Sequence, residues 1–382
     1  MRSNKRTKLP DSSLISYMSG MVKDNGGINL AQGLPGFSPP EELLSELKLL
    51  VSENVHQYPQ GNGDPQLIDV VRNLYKQSVG FDDDQILIVQ GATEGISLVY
   101  TYFIKQFGTS WKAAAFDPIY ESYKELPNIF GNELIRISMG SEGEIDWNIL
   151  EEILAGNPVK LFFVNSPGNP YGKIWTKAEL HRIIQLAEKY DFYILFDAVY
   201  KNLYFGNEKP EILLPDQSSR IFYVNSFSKM LSITGWRVGY LITEAGHMKS
   251  IRKIHDYTGL CSVSILQKAI ASYMNKYDLG SVYLQELRSK LAIGYSFFAP
   301  ELRNLGFKLA PVSGGYFIWA QLPAGFSNGF EFAIDLYGKS KLAVVPGIHF
   351  SNSAGSFIRI NIARDLAELV KALEALKSFL NH

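Results

Sequence analysis

The sequence NSFSKMLSITGWRVG occupies residues 225–239 and follows RIFYV at residues 220–224, a run that alternates β-branched and aromatic residues. Such a run predicts a buried β-strand, so the polar stretch after it begins where the strand ends. Lys229 lies in this stretch, with Ser226 and Ser228 before it and Arg237 eight positions after it. An ammonium group at the end of a buried strand loses its water, so Lys229 needs a covalent or ionic partner.

The residue types around this lysine favour one cofactor. Desolvation lowers the pKa of a lysine, and a neutral amine attacks carbonyl carbons. The hydroxyl groups of Ser226 and Ser228 and the guanidinium of Arg237 suit a phosphate dianion, which arginine binds through two parallel hydrogen bonds. An amine for an aldehyde beside a cradle for a phosphate indicates pyridoxal 5'-phosphate (PLP). The alternative for a Ser-x-Ser-Lys motif alone is a solvated turn, and only the rest of the chain separates the two.

Composition and charge narrow the class of protein. The chain has 382 residues, of which 46% are hydrophobic and 20% charged, as in a soluble globular enzyme with room for roughly two or three domains. The formal net charge of −1 gives no basis for binding nucleic acid or an anionic membrane surface. The basic start of the chain is followed by no apolar run, so it does not read as a secretory signal. A single cysteine, Cys261, and scattered histidines predict no disulfide, no metal site and a cytoplasmic location.

The middle of the chain alternates strands and helices. Apolar runs predict strands at residues 85–90, 112–116, 134–138, 160–165, 192–196, 220–224 and 239–243, with helices at 41–53, 65–77, 96–106, 146–154 and 177–189. Near-continuous apolar strands joined through helices indicate an α/β fold whose largely parallel sheet is covered on both faces. In such a sheet, ligands bind outside the carboxyl ends of the strands.

The unusual polar residues lie at those carboxyl ends: Thr93, Tyr120, Asn169, Asp197 and Lys229. Thr93 follows Gly91 and Ala92 in a turn that leads into a helix, where backbone N–H groups bind anions. A buried Asp197 suits a protonated pyridine nitrogen, although capping a turn is the alternative. Asn169 and Tyr200 are placed to reach the phenolate oxygen of the PLP ring, and Tyr120 to stack on the ring.

The pattern changes beyond about residue 250. Helices are predicted at 264–276, 283–304 and 365–380, and strands at 315–322, 342–345 and 356–362, as in a second, smaller α+β domain. Arg359 lies in the apolar strand sequence FIRINIA and therefore requires a carboxylate. That carboxylate is either the α-carboxylate of a substrate or an internal Asp or Glu.

Eight motifs together resemble the class I/II aminotransferases of PLP fold type I over nearly the whole chain. They are NLAQG (29–33) with Pro35, the Tyr58 loop HQYPQGNG (56–63), GAT (91–93), DPIY (117–120), NSPGNPYG (165–172), DAVY (197–200), SFSKMLSITGWR (226–237) and FIR (357–359). The family more often has Glu at position 198 and Thr at position 171. The N-terminal sequence, including INLAQGLPGF (28–37), and the motif TGWRVGY (234–240) are most similar to the branch that contains methionine aminotransferases and kynurenine or glutamine transaminases.

This resemblance implies roles for individual residues. Lys229 would form the Schiff base and shuttle the proton, with Asp197 and Tyr200 as the other catalytic residues. The implied cofactor-binding residues are Gly91, Ala92, Thr93, Tyr120, Asn169, Asp197, Tyr200, Ser226, Ser228, Lys229, Arg237 and, from the neighbouring subunit of a homodimer, Tyr58. The implied substrate-binding residues are Gly33, Asn169 and Arg359.

The expected function is transfer of the amino group of an L-amino acid, neutral and methionine-like or aromatic, to a 2-oxo acid by a ping-pong mechanism. The alternatives are a PLP-dependent β-lyase of the cysteine-conjugate or cystathionine type, an aspartate- or alanine-type aminotransferase, and a non-catalytic PLP sensor. Arg288 would extend the substrate range to dicarboxylates if it reached the site. The expected domains are a large PLP-binding domain at residues 40–275 and a small domain made of residues 1–39 and 276–382.

Overall fold

The computed structural model describes residues 9–10, 12–76, 80–206 and 209–381. Most of the basic start of the chain, residues 1–8, and the predicted helix end at Gln77 lie outside this range. The helices are α1 (Leu14–Asn25), α2 (Glu41–Leu50), α3 (Pro65–Tyr75), α4 (Ala92–Phe107), α5 (Glu121–Phe130), α6 (Trp147–Ala155), α7 (Lys177–Lys189), α8 (Phe227–Met230), α9 (Ala245–Thr258), α10 (Ser264–Lys276), α11 (Ser281–Asn304), α12 (Gly329–Ser340) and α13 (Leu366–Leu380). Among the described residues, no helix combines the length and the apolar character needed to cross a membrane.

The strands are β1 (Ile28–Asn29), β2 (Ile86–Val89), β3 (Lys112–Asp117), β4 (Glu133–Ser138), β5 (Val159–Asn165), β6 (Tyr193–Asp197), β7 (Ile221–Ser226), β8 (Gly239–Ile242), β9 (Lys308–Leu309), β10 (Phe317–Gln321), β11 (Leu342–Ala343), β12 (Val345–Pro346) and β13 (Phe357–Asn361). A seven-stranded sheet has the order β2-β8-β7-β6-β5-β3-β4. All its neighbours pair in parallel except β8, which runs antiparallel to both β2 and β7. The predicted α/β fold class is confirmed.

Alternate residues of these strands face opposite sides of the sheet, and both sides are buried. In β5, Phe162 and Val164 belong to one hydrophobic cluster, whereas Leu161 and Phe163 belong to the other. Continuous apolar runs are needed where both faces are covered, which is why these strands show no polar alternation. The first polar side chain at each strand end therefore marks the edge of the sheet.

A third hydrophobic cluster contains the N-terminal helix and most of the last third of the chain. It contains residues of the helices α1, α11, α12 and α13, which pack against an antiparallel sheet of order β12-β13-β10-β9. The short strand β1 pairs in parallel with β11, so the N-terminal segment is attached to this part of the structure. The cluster also includes Tyr200 and Leu203, which follow β6, so this part packs against the carboxyl edge of the large sheet.

Local sequence explains where several helices begin. Thr176 and Glu179 form a capping box at the start of α7, and Asp146 and Asp365 accept backbone N–H hydrogen bonds at the starts of α6 and α13. Helix α4 begins at Ala92, four residues before the predicted start at residue 96. Gly91 has φ 83° and ψ 167°, a conformation that is essentially restricted to glycine, so it can turn the chain directly from the sheet into the helix.

Candidate functional site

A cavity of about 350 Å³ lies at the carboxyl edge of the seven-stranded sheet. Its wall comes from strand ends, from the start of α4 and from β13, which are far apart in the sequence. Twelve of the predicted site residues line it: Gly33, Ala92, Thr93, Tyr120, Asn169, Asp197, Tyr200, Ser226, Ser228, Lys229, Arg237 and Arg359. The structure therefore brings together the polar residues that the sequence placed at separate strand ends.

Lys229 lies on α8, the single helical turn that follows β7, and its amine points into the cavity. Its Nζ donates a hydrogen bond of 2.7 Å to the backbone carbonyl oxygen of Gly33. Burial and, to a smaller extent, the nearby charges of Arg359 and Arg237 together lower the pKa of Lys229 to about 8, against the opposing effect of Asp197. An amine with this pKa is partly neutral near neutral pH, as a nucleophile or a proton acceptor must be.

Asp197 is the last residue of β6, on the strand next to β7. Its Oδ2 accepts a hydrogen bond of 2.6 Å from Tyr123, and its Oδ1 accepts one of 3.1 Å from the backbone N–H of Val199. Burial raises the pKa of Asp197 to about 6, although both hydrogen bonds and the charge of Lys229 oppose that rise. A buried carboxylate held in this way is prepared for a cationic ligand group, because such a group would offset its desolvation.

Three further polar residues surround Lys229 and Asp197, namely Tyr200, Tyr316 and Asn169. The Tyr200 ring packs edge-to-face on Tyr316, and the Lys229 amine is 6.0 Å from the centres of both rings. Burial raises the pKa of Tyr200 well above its ordinary value, so its hydroxyl stays protonated and can donate a hydrogen bond. The backbone N–H of Asn169 donates a hydrogen bond of 2.7 Å to Asn165 Oδ1, which fixes the backbone at this position.

One side of the cavity has the donors of an anion site. The N-terminus of α4 supplies the first-turn N–H groups of Ala92 and Thr93, which a helix leaves unpaired. Ser226 Oγ lies 2.7 Å from Ser228 Oγ and accepts a hydrogen bond of 3.0 Å from the Ser228 N–H. Arg237 reaches across the same space.

Gly91 leaves room for that arginine. Nη2 of Arg237 donates a hydrogen bond of 3.1 Å to the carbonyl oxygen of Gln90, and a Cβ on Gly91 would lie 2.6 Å from the same nitrogen. Gly91 itself does not line the cavity. What the structure shows at Gly91 is the space in which the guanidinium lies.

Arg359 lies in β13 and is fully buried. Nη1 donates to Asn169 Oδ1 at 2.9 Å, Nη2 donates to the carbonyl oxygen of Ala31 at 2.6 Å, and the Nε atom has no hydrogen-bond partner among the described residues. The rings of Phe317 and Phe350 lie 4.1 and 4.8 Å from the guanidinium carbon. Burial lowers the pKa of Arg359 to about 10. No carboxylate of the described residues forms an ion pair with it, which favours a substrate carboxylate as its partner.

Besides Gly91, two residues named from the sequence lie outside the cavity. Tyr58 is 81% exposed in the single subunit. Arg288 donates a hydrogen bond of 3.2 Å to the hydroxyl of Tyr204 and does not line the cavity. Within the described part of the chain, no group of three His, Cys, Asp or Glu residues is arranged to hold a metal ion.

The sequence did not single out Glu121, which also lines the cavity. It directly follows Tyr120 and starts α5, where an acidic residue ordinarily complements the helix dipole. An acidic residue at the start of a helix is expected for structural reasons alone, so the sequence gives no sign that the carboxylate of Glu121 faces the cavity.

The donor set fits PLP. An amine with a lowered pKa suits an aldehyde, a buried carboxylate suits a pyridinium nitrogen, and the helix N-terminus with two hydroxyls and a guanidinium suits a phosphate. The space that Gly91 leaves for Arg237 and the unpartnered Nε of Arg359 are structural signs that both arginines are kept for ligands.

Comparison with known proteins agrees with this chemistry. The family model described as aminotransferase class I and II matches residues 25–376. An aspartate aminotransferase from Thermotoga maritima is 26% identical over 361 residues, which cover 93% of this chain and 91% of that protein. A methionine aminotransferase from Escherichia coli is 25% identical over 384 residues, which cover 97% of both.

Solved structures show the same architecture. An aminotransferase from Mycobacterium tuberculosis has a TM-score of 0.88 at 24% identity, covering 100% of this chain and 99% of that one. An aspartate aminotransferase from Thermus thermophilus, solved with maleate, has a TM-score of 0.87 at 20% identity, covering 97% of each chain. These two likenesses establish the fold.

Proposed function

Given that the chain belongs to the class I and II aminotransferase family, we propose that it moves the amino group of a neutral L-amino acid, methionine-like or aromatic, to a 2-oxo acid. The family makes the protein a PLP-dependent enzyme and makes transamination of amino acids its reaction. The proposal concerns the substrates, the order of the steps and the residues that perform them.

One observation supports the proposal most strongly. Arg359 is buried without a carboxylate partner among the described residues, and it lines the same cavity as Lys229 and Asp197. An amino acid that places its α-carboxylate on Arg359 would hold its α-carbon inside this cavity, within reach of a base. An unpaired buried arginine is costly, so its retention is best explained by a ligand that pairs with it.

When bound, PLP supplies an aldehyde carbon that an amine can attack and a protonated ring that withdraws electrons. Lys229 would be the amine that bonds this aldehyde. Once an incoming amino acid has displaced it, Lys229 would carry the proton between the substrate α-carbon and the cofactor. Its lowered pKa supports both tasks, because the amine must be neutral to attack and to accept a proton.

The other residues would hold and orient the cofactor. Asp197 would pair with the ring nitrogen, and Tyr200 and Asn169 would hydrogen-bond the ring oxygen. Tyr120 would stack on the ring. We assign the phosphate to the start of α4 at Ala92 and Thr93 and to Ser226, Ser228 and Arg237, with Gly91 making room and the partner's Tyr58 completing the site in a homodimer.

The architecture supports the division expected from the sequence. We propose a large PLP-binding domain at residues 40–275 and a small domain formed by residues 1–39 and 276–382. The cavity between the carboxyl sheet edge and β13 would then lie where the two domains meet, and movement of the small domain would close it over the substrate. A cytoplasmic location remains a prediction from the single cysteine.

A screen of amino donors tests the function. Purified enzyme with PLP is offered methionine, phenylalanine, kynurenine, glutamine, alanine and aspartate, once with 2-oxoglutarate and once with the neutral 2-oxo acid 2-oxobutyrate as acceptor, and the amino acid formed from the acceptor is measured. Parallel lines in double-reciprocal plots at several acceptor concentrations would support the ping-pong order. Release of pyruvate and ammonia from cysteine conjugates without amino transfer would instead identify a β-lyase, and PLP binding without either reaction would identify a sensor. A clear preference for aspartate would contradict the proposed substrate class.

A further inference from the structure

Glu121 places a carboxylate in the cavity. Its Oε2 accepts a hydrogen bond of 2.7 Å from Ser13 Oγ and lies 3.1 Å from Nε2 of His349. Both contacts use the same oxygen, and no hydrogen bond to Oε1 occurs among the described residues. The side chain remains 29% exposed, and Glu121 lines the cavity together with Ile15. One carboxylate oxygen is thus fixed by the protein and the other is available to a ligand.

This carboxylate stays ionised. Burial raises the pKa of Glu121, but the close contact with His349, the hydrogen bond from Ser13 and the charge of Arg359 together outweigh burial and leave the pKa below its ordinary value. His349 packs edge-to-face against Phe350 and does not line the cavity. A ligand that approaches from the cavity meets the anion first.

The cations of the cavity are already needed elsewhere. Lys229, Arg237 and Arg359 are the lysine and arginine residues among those that line it. The proposed function assigns them to the cofactor aldehyde, the cofactor phosphate and the α-carboxylate. A second carboxylate on the substrate would find no further lysine or arginine in this lining, and it would meet the like charge of Glu121.

We propose that Glu121 selects substrates by their side chains, favouring neutral amino acids with a terminal N–H or O–H donor, such as a carboxamide or an aromatic amine, over dicarboxylates. Oε1 would accept the hydrogen bond of such a donor, because Ser13 and His349 hold the carboxylate in place through Oε2. This inference rests on the proposed function and narrows it, since an amide or amine end is favoured over a thioether.

The test uses two ligands of one skeleton. Succinamate and succinate share the carboxylate for Arg359 and differ only in having an amide or a carboxylate at the far end. Their affinities for the PLP-loaded enzyme are measured by isothermal titration calorimetry for wild type and for Glu121→Gln, which removes the charge and keeps the size. Glu125→Gln is the matched control, because Glu125 lies on the same helix, is 46% exposed and does not line the cavity.

Wild type should bind succinamate at least about tenfold more tightly than succinate, because like charges that face each other at a desolvated site repel strongly. Glu121→Gln should reduce that ratio to about twofold or less, and Glu125→Gln should leave it as in wild type. The inference is overturned if Glu121→Gln keeps the wild-type ratio, if wild type prefers succinate, or if wild type binds neither ligand.

A second measurement separates this inference from the proposed function. With 2-oxobutyrate as acceptor, the kcat/KM ratio of glutamine to glutamate should fall in Glu121→Gln, since the discrimination acts on the substrate side chain. If the enzyme transfers no amino group from any donor but still binds succinamate selectively through Glu121, the proposed function fails and the inference stands. If it transfers amino groups with no change in either ratio, the function stands and the inference fails.

Discussion

Replacing Gly91 by alanine should weaken PLP binding through a contact that can be read from the structure. The added Cβ would lie 2.6 Å from Nη2 and 2.9 Å from the guanidinium carbon of Arg237, so the guanidinium must move. A hydrogen bond to a charged group is worth about 1.5–3 kcal/mol. Because Arg237 is exposed in the single subunit, we take the lower end, about 1.5 kcal/mol, which corresponds to a roughly tenfold larger Kd for PLP.

The backbone adds a separate cost, and a control removes it from the comparison. Alanine at φ 83° costs on the order of 1–3 kcal/mol of folding free energy, whatever surrounds it. Gly108 ends the same helix at φ 69° and ψ −145°, and its Cβ would meet nothing within 4 Å. Gly108→Ala therefore carries the backbone cost without the contact to Arg237.

The assay titrates the cofactor-free protein with PLP for wild type and both variants, and urea denaturation records their stabilities. Gly91→Ala should lose at least as much free energy of unfolding as Gly108→Ala, because it adds the contact with Arg237 to the backbone cost, and only Gly91→Ala should lose affinity for PLP. Equal affinities in Gly91→Ala and Gly108→Ala, within about twofold, would refute the placement of the phosphate beside Arg237.

Three further substitutions test the centre of the site. Lys229→Ala should abolish turnover and the visible absorbance of the lysine-bound cofactor, and cycling at the wild-type rate would show that the assignment is wrong. Arg359→Ala should raise KM for every amino acid tested, because all share the α-carboxylate; a change for a single substrate would mean that Arg359 recognises a side chain. Asp197→Asn should stabilise the cofactor-free protein by up to about 3 kcal/mol at pH 7, because the folded state raises the Asp197 pKa to about 6 and so destabilises the ionised form. This gain, measured by urea denaturation, should shrink as pH falls from 6 to 4, because the Asp197 carboxyl of the folded protein becomes protonated over that range. An equal gain at pH 7 and pH 4 would contradict the raised pKa of Asp197.

Strand ends were predictable because burial on both faces leaves a clear signal. Asp197 and Asn165 are the first polar side chains after apolar runs, and both lie at the last position of a strand in the structure. That these residues share one edge of the sheet followed from the rule that ligands bind outside the carboxyl ends of parallel strands. The convergence of Asp197 and Lys229 on one cavity could therefore be inferred without coordinates.

Helices with irregular sequences were harder to recognise. Helix α5 contains Pro127 and was missed, because proline usually ends a helix. Helix α12 starts with Gly329, and α9 is largely polar, so neither showed a clear apolar period. Tertiary packing stabilises such helices, and a single sequence does not display it.

The substrate end of the cavity was least accessible to sequence reasoning. Glu121 faces the cavity because Ser13, 108 positions earlier, and His349, far later in the chain, hold one of its oxygens. No local pattern encodes a contact between three such distant segments. The residues proposed to bind the cofactor lie at strand ends, which the sequence marks clearly. The residues that select a substrate side chain depend on which distant segments meet above those strand ends, and this is much harder to infer from sequence.

The charges of the cavity also connect binding to proton transfer. The positive charges of Arg359 and Arg237 both contribute to the lowered pKa of Lys229, after burial itself. An anion that binds to either guanidinium cancels part of that charge and weakens its repulsion of the ammonium form. The proton affinity of Lys229 must therefore rise as phosphate and carboxylate groups bind. A single amine can then be neutral enough to attack before the substrate carboxylate arrives and basic enough to accept a proton once that carboxylate is in place.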